Sequence, residues 1–282
     1  MAEGSEALGH HARLLTKTEE EHLKRDSQTI TDFKRNKLEQ EAKKNWDLFY
    51  KRNATNFFKD RHWITREFPE LVQQSCDQSC DGSSRKCVLL ETGCGVGNTV
   101  FPLLEENPHL FVYACDFSPR AIEFVKAHHG YNGDSCTAFV CDLTKDSLEE
   151  TVPRDSVDVV SMFFVLSAIS PEKMTTVLQN ILAVMKPGGC LLFRDYGLYD
   201  HAMLRFARGH KISDNFYVRQ DGTRAYYFSE EMLSAVMTEA GFIIQERRYV
   251  QKETVNFKED ICVPRIFLQG RFVKPIICDA ES

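Results

Sequence analysis

Hydrophobic and polar positions change rhythm near residue 86. Before it the spacing is helical: Trp46, Phe49 and Tyr50 recur at i, i+3 and i+4 and share one face, with Phe57, Phe58 and Trp63 following. Thr18 with Glu21 three residues on predicts a helix start with a capping box. Residues 1–15 show no periodicity and read as a flexible N-terminus, and 16–72 as a helical segment. The Gln, Ser, Cys, Asp and Gly cluster at 73–86 reads as a linker.

Beyond it, short apolar runs alternate with helical stretches. Cys87 to Leu90, Leu110 to Cys115, Ala138 to Cys141, Val157 to Phe164 and Cys190 to Arg194 predict strands. Residues 98–106, 118–128, 171–185 and 229–240 predict helices, the last closed by Gly241 as C-cap. Phe242 to Val255 and Pro264 to Phe272 add an antiparallel edge hairpin. The pattern is α/β, with a doubly wound, mostly parallel seven-stranded sheet over 87–275, an N-terminal helical extension and a short tail at 276–282.

Over the whole chain, 35 basic and 41 acidic side chains give a net charge of −6, which argues against a nucleic-acid partner. Locally the picture inverts. From Lys34 to Arg66 the basic residues exceed the acidic by six, leaving −12 for the remainder. Lysines and arginines interleaved with aromatics suit an amphipathic helix docked on the main domain, and equally a nucleic-acid platform; opposite faces can do both.

Glycines succeed the first apolar strand in Glu91-Thr92-Gly93-Cys94-Gly95-Val96-Gly97. They allow backbone to approach a ligand and turn into a helix, although the spacing is not that of dinucleotide enzymes. Asp116 ends the second strand, where a carboxylate can accept both hydroxyls of a ribose. Asp142-Leu143 ends the third, where an acid and an apolar side chain can hold an adenine.

This order, continued by Asp158 to Phe164 and Met185-Lys186-Pro187-Gly188-Gly189, closely resembles the class I S-adenosylmethionine-dependent methyltransferases over about residues 46–272. The resemblance implies a Rossmann-like sheet and S-adenosylmethionine as cofactor. It assigns Gly93 and Gly95 to the methionine moiety, Asp116 to the ribose and Asp142 with Leu143 to the adenine, with Phe163 under the cofactor.

The segments after strands four and five indicate the methyl acceptor. Phe163-Phe164-Val165-Leu166 is not the Asn/Asp-Pro-Pro-Tyr/Phe of enzymes acting on exocyclic amines, and no Pro-Cys pair supplies the nucleophile of carbon-5 cytosine enzymes. Phe193 to Phe206 and Asn215 to Phe228 are dense in Arg, His, Asp and Tyr. With Asn45 to Asn53 and Asn56 to Trp63, they resemble the tRNA 3-methylcytidine methyltransferases, in particular those acting on serine tRNAs at position 32 of the anticodon loop. That resemblance adds Trp46 and Tyr50 as cofactor contacts and seryl-tRNA synthetase as a partner.

The chemistry then selects residues. Attack by cytosine N3 needs alignment more than a base, and its product is a cation that a nearby carboxylate stabilises. Asp195 is the first choice, with Tyr196 stacking on or orienting the base and Arg194 or His201 meeting phosphate or fixing Asp195. Lys43, Lys44, Lys51, Arg52, Arg61, Arg205, Arg219 and Arg224 are candidate tRNA contacts, joined by Arg208 and Lys211. The alternatives are a class I methyltransferase of a protein or small molecule, and a silent RNA-binding module.

Ten cysteines without disulfide spacing read as reduced thiols; Cys76 and Cys80 lack a second pair for zinc, so no metal is expected. No signal peptide or membrane-spanning run is visible. A cytoplasmic, also nuclear, monomer apart from its partners is the expectation.

Overall fold

Strand residues alternate between two cores, and this makes one sheet with helices on both faces. In a computed structural model, residues 6–25, 28–73, 86–256 and 261–276 are described. The elements run β1 (Glu6–Gly9), α1 (Lys17–Arg25), α2 (Asp32–Gln40), α3 (Ala42–Asn53), α4 (Ile64–Glu67), α5 (Glu70–Gln73), β2 (Cys87–Thr92) and α6 (Val100–Glu106). Then come β3 (Leu110–Asp116), α7 (Pro119–Ala127), β4 (Cys136–Val140), β5 (Val157–Phe163), α8 (Pro171–Val184), β6 (Met185–Tyr196) and α9 (His201–Leu204). The chain closes with β7 (Lys211–Ser213), β8 (Phe216–Val218), β9 (Arg224–Tyr226), α10 (Glu230–Ala240), β10 (Ile243–Asn256) and β11 (Ile261–Val273).

The main sheet has the order β1-β10-β11-β6-β5-β2-β3-β4. Strands β6, β5, β2, β3 and β4 pair parallel, and β11 and β10 add antiparallel. Leu89, Val159 and Leu192 face one buried core with Ile64, Phe68, Val100 and Ile122. Leu90, Val160, Leu191 and Phe193 face the other, with Met174, Leu178, Leu233 and Met237 from α8 and α10. The order reverses at β2, which lies between β5 and β3. A parallel sheet opens a crevice beyond its strand ends at such a point.

Three sequence expectations are corrected. Residues 6–9, expected to be flexible, form strand β1 on β10 and raise the sheet from seven strands to eight. The capping box of α1 is Thr16 and Glu19, two residues earlier than read, because Thr16 N donates to Glu19 at 2.8 Å while Glu19 N donates to Thr16 Oγ1 at 3.3 Å. Strand β6 begins at Met185, pairing with Val157 before the glycine turn. Within the polar stretch after β6, strands β7, β8 and β9 form a small antiparallel sheet that buries Phe216, Tyr217 and Tyr226. The expected linker at 73–86, Cys76 and Cys80, and the tail beyond 276 lie outside the described residues, apart from Gln73, Lys86 and Ile276.

Among the described residues no helix is long and apolar enough to cross a membrane, and no His/Cys/Asp/Glu group is arranged for a metal ion. Leu90 is fully buried. Leu90→Ala is expected to cost about 2–5 kcal/mol, read as a fall in the denaturant midpoint at constant slope.

Candidate active site

The glycine turn after β2 is clasped by the acid that ends β3. Gly93 and Gly95 both have φ of +55°, in the left-handed region. A Cβ on Gly95 would lie 3.1 Å from the Tyr50 hydroxyl and one on Gly93 2.6 Å from Val165. Asp116 accepts from Gly95 N at 3.0 Å and Ser118 N at 2.9 Å, and bonds the Tyr50 hydroxyl. Burial pushes its pKa up to about 6, against those donors. Asp142 accepts from Thr144 N at 3.1 Å and Thr144 Oγ1 at 2.7 Å, and pairs with Lys145 at 2.9 Å. Burial works to raise its pKa, but these donors hold it low.

The N-terminal helices roof this crevice through the buried apolar face of Phe49 and Tyr50, packed on Val96 and Ala121, and through polar contacts. Asp47 of α3 accepts from the Ser118 hydroxyl at 2.9 Å, and Asn45 Nδ2 donates to Gly222 O at 3.1 Å. Below the roof lies a first cavity of about 870 Å³, solvent mouth included, lined by Trp46, Tyr50, Gly93, Asp116, Asp142 and Leu143. Leu143 and Tyr50 are buried, Trp46 half-buried. A glycine cradle, a ribose-facing carboxylate at a strand end and an apolar adenine slot fit S-adenosylmethionine. Gly95, also expected here, lines the adjoining cavity instead.

That second cavity, about 580 Å³, shares Trp46, Tyr50, Gly93, Phe164, Ala168 and Arg224 with the first. Its own walls include Arg61, Glu91, Phe163, Ser167, Tyr196 and Arg219. Phe164 has φ of +63°, a strained conformation at the end of β5. Its ring meets Tyr196 at 5.2 Å and lies under the Arg61 guanidinium at 5.3 Å. Arg219 sits over Tyr196 at 5.4 Å. Phe163, expected under the cofactor, is packed against Phe68 at 5.2 Å and faces this cavity.

Several assigned residues are placed differently. Asp195 is fully buried behind the wall, accepting from Ser167 N at 2.9 Å and Tyr196 N at 2.8 Å, so it fixes the wall rather than presenting a carboxylate to a base. Burial raises its pKa to about 6. Arg194 is 2% exposed, stacked on Trp63 at 4.6 Å and Phe267 at 5.2 Å with Glu67 at 4.0 Å, so it is withdrawn from phosphate. Arg224 is buried against Glu39 and Ser170, and Arg61 donates to Phe163 O at 3.4 Å. Neither is a surface backbone contact.

His201 starts α9 beside its cap Asp200, whereas the amides bonding Asp195 belong to Ser167 and Tyr196. Lys43, Lys44, Lys51, Arg52 and Arg205 are solvent-exposed as expected, Lys43 at the rim of the first cavity. Glu91, Ser167 and Glu39 were missed as site residues. Glu91 stood in the glycine motif itself; it is 2% exposed, bonded by Ser161, with its pKa pushed by burial to about 7.

A model described as a methyltransferase domain matches residues 90–191. The human tRNA N(3)-cytidine methyltransferase METTL6 is 60% identical over 267 residues, covering 95% of this chain and 92% of that protein. This chain belongs to the tRNA N3-cytidine methyltransferase family. A further member, METTL2 of Xenopus tropicalis, is 40% identical over 86% of this chain and 80% of its own. A solved S-adenosylmethionine-dependent methyltransferase from Anabaena variabilis shares the fold, with a TM-score of 0.58 at 12% identity over 82% of this chain and 94% of that one.

The buried carboxylates make the site sensitive to pH. As pH falls from about 8 to about 5.5, Glu91 and Asp116 take up protons, and because Asp116 lines the cofactor cavity, calorimetric titration should show weakening cofactor affinity as Asp116 does so. Their pKa values are raised in the fold, so this protonation adds stability; a thermal melt should therefore not decline in that window. Glu19 and Glu39, held at about 2, lose their stabilisation only as pH falls below the ordinary 4.5 towards that value. Separately, Arg194→Ala removes a partner of the enclosed Glu67 and is expected to cost about 3–5 kcal/mol in chemical unfolding.

Proposed function

We propose that this protein transfers the methyl group of S-adenosylmethionine to N3 of a tRNA cytidine, and that its substrate is position 32 in the anticodon loop of serine tRNAs. The observation carrying the reading is the second cavity. It opens onto the cofactor cavity, has aromatic faces in Phe164 and Tyr196, and is ringed by Arg61 and Arg219. Such walls suit one extruded base, and N3 is reachable only outside a duplex. The names of the family's members support the substrate class; serine tRNA rests on the sequence resemblance.

N3 attacks with its in-plane lone pair, so the chain's work is to align the base and stabilise the positive charge appearing on it. The aromatic walls fix the plane. Glu91, on the cavity wall, and Asp195, behind it, supply negative charge in a low-dielectric site as the base becomes cationic. Asp195 also orients Tyr196 and Ser167 through their amides. Lys44, Lys51 and Arg52 on the exposed side of the roof would meet the tRNA backbone, with Arg205 just after α9. Seryl-tRNA synthetase as a helper in tRNA selection, and residence in cytoplasm and nucleus, belong to this reading as expectations from the family.

Nucleoside mass spectrometry of purified serine tRNA after incubation with protein and cofactor should show 3-methylcytidine, and mass spectrometry of its ribonuclease fragments should place it at position 32. Methylation of protein or small molecules in place of tRNA would sink the reading. Asp195→Asn should keep cofactor affinity within about twofold and slow turnover by about 10²–10³-fold. Charge reversal at Lys44, Lys51 and Arg52 should weaken tRNA binding and flatten its salt dependence; an unchanged slope would remove them from the interface.

A further inference from the structure

Glu39 is the one carboxylate that α2 contributes to the cofactor cavity, and two other elements of the chain, α8 and β9, converge on it. Its side chain is 29% exposed, and it accepts from Ser170 Oγ at the start of α8, from Lys173 Nζ one turn later and from Arg224 Nη1 on β9. Arg224 is 7% exposed, and its other bonds run to Ser170 Oγ at 2.8 Å and Ala168 O at 3.2 Å. Arg224 lines both cavities, so it stands where they join.

The cofactor cavity is otherwise rich in positive charge, with Lys43, Lys145, Lys173 and Arg224 on its wall. Lys145 is already paired with Asp142. Lys173 and Arg224 have Glu39 between them, which remains ionised: burial works to raise its pKa, but the donors from Lys173, Ser170 and Arg224 hold it at about 2.

This arrangement bears on a difference between cofactor and product. S-adenosylmethionine carries a sulfonium cation; S-adenosylhomocysteine has the same adenosine and the same amino-acid group on a neutral thioether. A cavity wall with two uncompensated cations would repel the first and be indifferent to the second. We propose that Glu39 both anchors the N-terminal roof and balances Arg224 and Lys173, so that its charge sets the preference of the cavity for S-adenosylmethionine over S-adenosylhomocysteine. The proposal rests on the cofactor assignment above and concerns a positioning residue, since Glu39 acts through the cations it neutralises.

The test is calorimetric titration of the full chain with each ligand separately. Glu39→Gln keeps the shape and leaves the Arg224 bonds to Ser170 and Ala168 in place. It should weaken S-adenosylmethionine by about tenfold, on the order expected for one unit charge across a partly screened cavity, and S-adenosylhomocysteine by less than about twofold. Glu39→Asp retains the charge on a shorter arm, so the ratio of the two affinities should stay near that of the unaltered chain. Adding Lys173→Gln to Glu39→Gln removes the excess cation and should restore most of the ratio, which a purely structural strut would not do. Equal losses for both ligands, or no loss for either, would overturn the proposal. If the unaltered chain binds neither ligand, it is the cofactor assignment that fails, and the role of Glu39 falls with it.

Discussion

The bond from the Gly95 amide to the buried Asp116 carboxylate holds the site together. It joins the turns after two neighbouring strands, β2 and β3, at the point where strand order reverses. A parallel sheet leaves its strand ends to the loops, so a ligand site there needs something to hold those loops in place. One carboxylate does so, accepting from both turns and from Tyr50 of the roof. Burial makes that carboxylate reluctant to ionise, and the donors around it offset the reluctance.

The roof explains how a chain of this length carries two adjoining cavities. Helices α2 and α3 meet the sheet's open end through the apolar packing of Phe49 and Tyr50 on Val96 and Ala121, and through side-chain polar contacts: Glu39 to α8 and β9, Asn45 to the β8–β9 turn, Asp47 to the start of α7. Such contacts are directional, and they set the roof at one height above the strand ends. The same helices turn Lys44, Lys51 and Arg52 outward. One element thus closes the cofactor cavity on one side and displays a basic face on the other.

How each residue is recognised decides what the sequence made legible and what it hid. Gly93, Asp116 and Asp142 could be located at one cavity because they stand at successive strand ends, which hydrophobic alternation reveals. The arginines could not be sorted. Arg194 and Arg219 are spelled alike, but one is stacked between Trp63 and Phe267 in the interior and the other lies over Tyr196 at a cavity wall. The buried arginines are set by partners distant in the chain, Glu67 for Arg194 and Glu39 for Arg224. Asp195 was misread for the same reason, since the Ser167 amide that bonds its carboxylate lies 28 residues away. The strand at residues 6–9 escaped because four residues are too few for periodicity to register.

The two cavities share walls, and the division of labour between them is what each holds when the protein is at work. The direct measurement is a structure of the protein with S-adenosylhomocysteine and a serine tRNA. The cofactor product should lie between Asp116 and Asp142, and one cytosine should be turned out of the anticodon loop into the second cavity, against the wall that Phe164 and Tyr196 form, with the tRNA backbone along the face of Lys51 and Arg52. A cytosine outside the second cavity, or a tRNA bound away from the roof, would contradict that division.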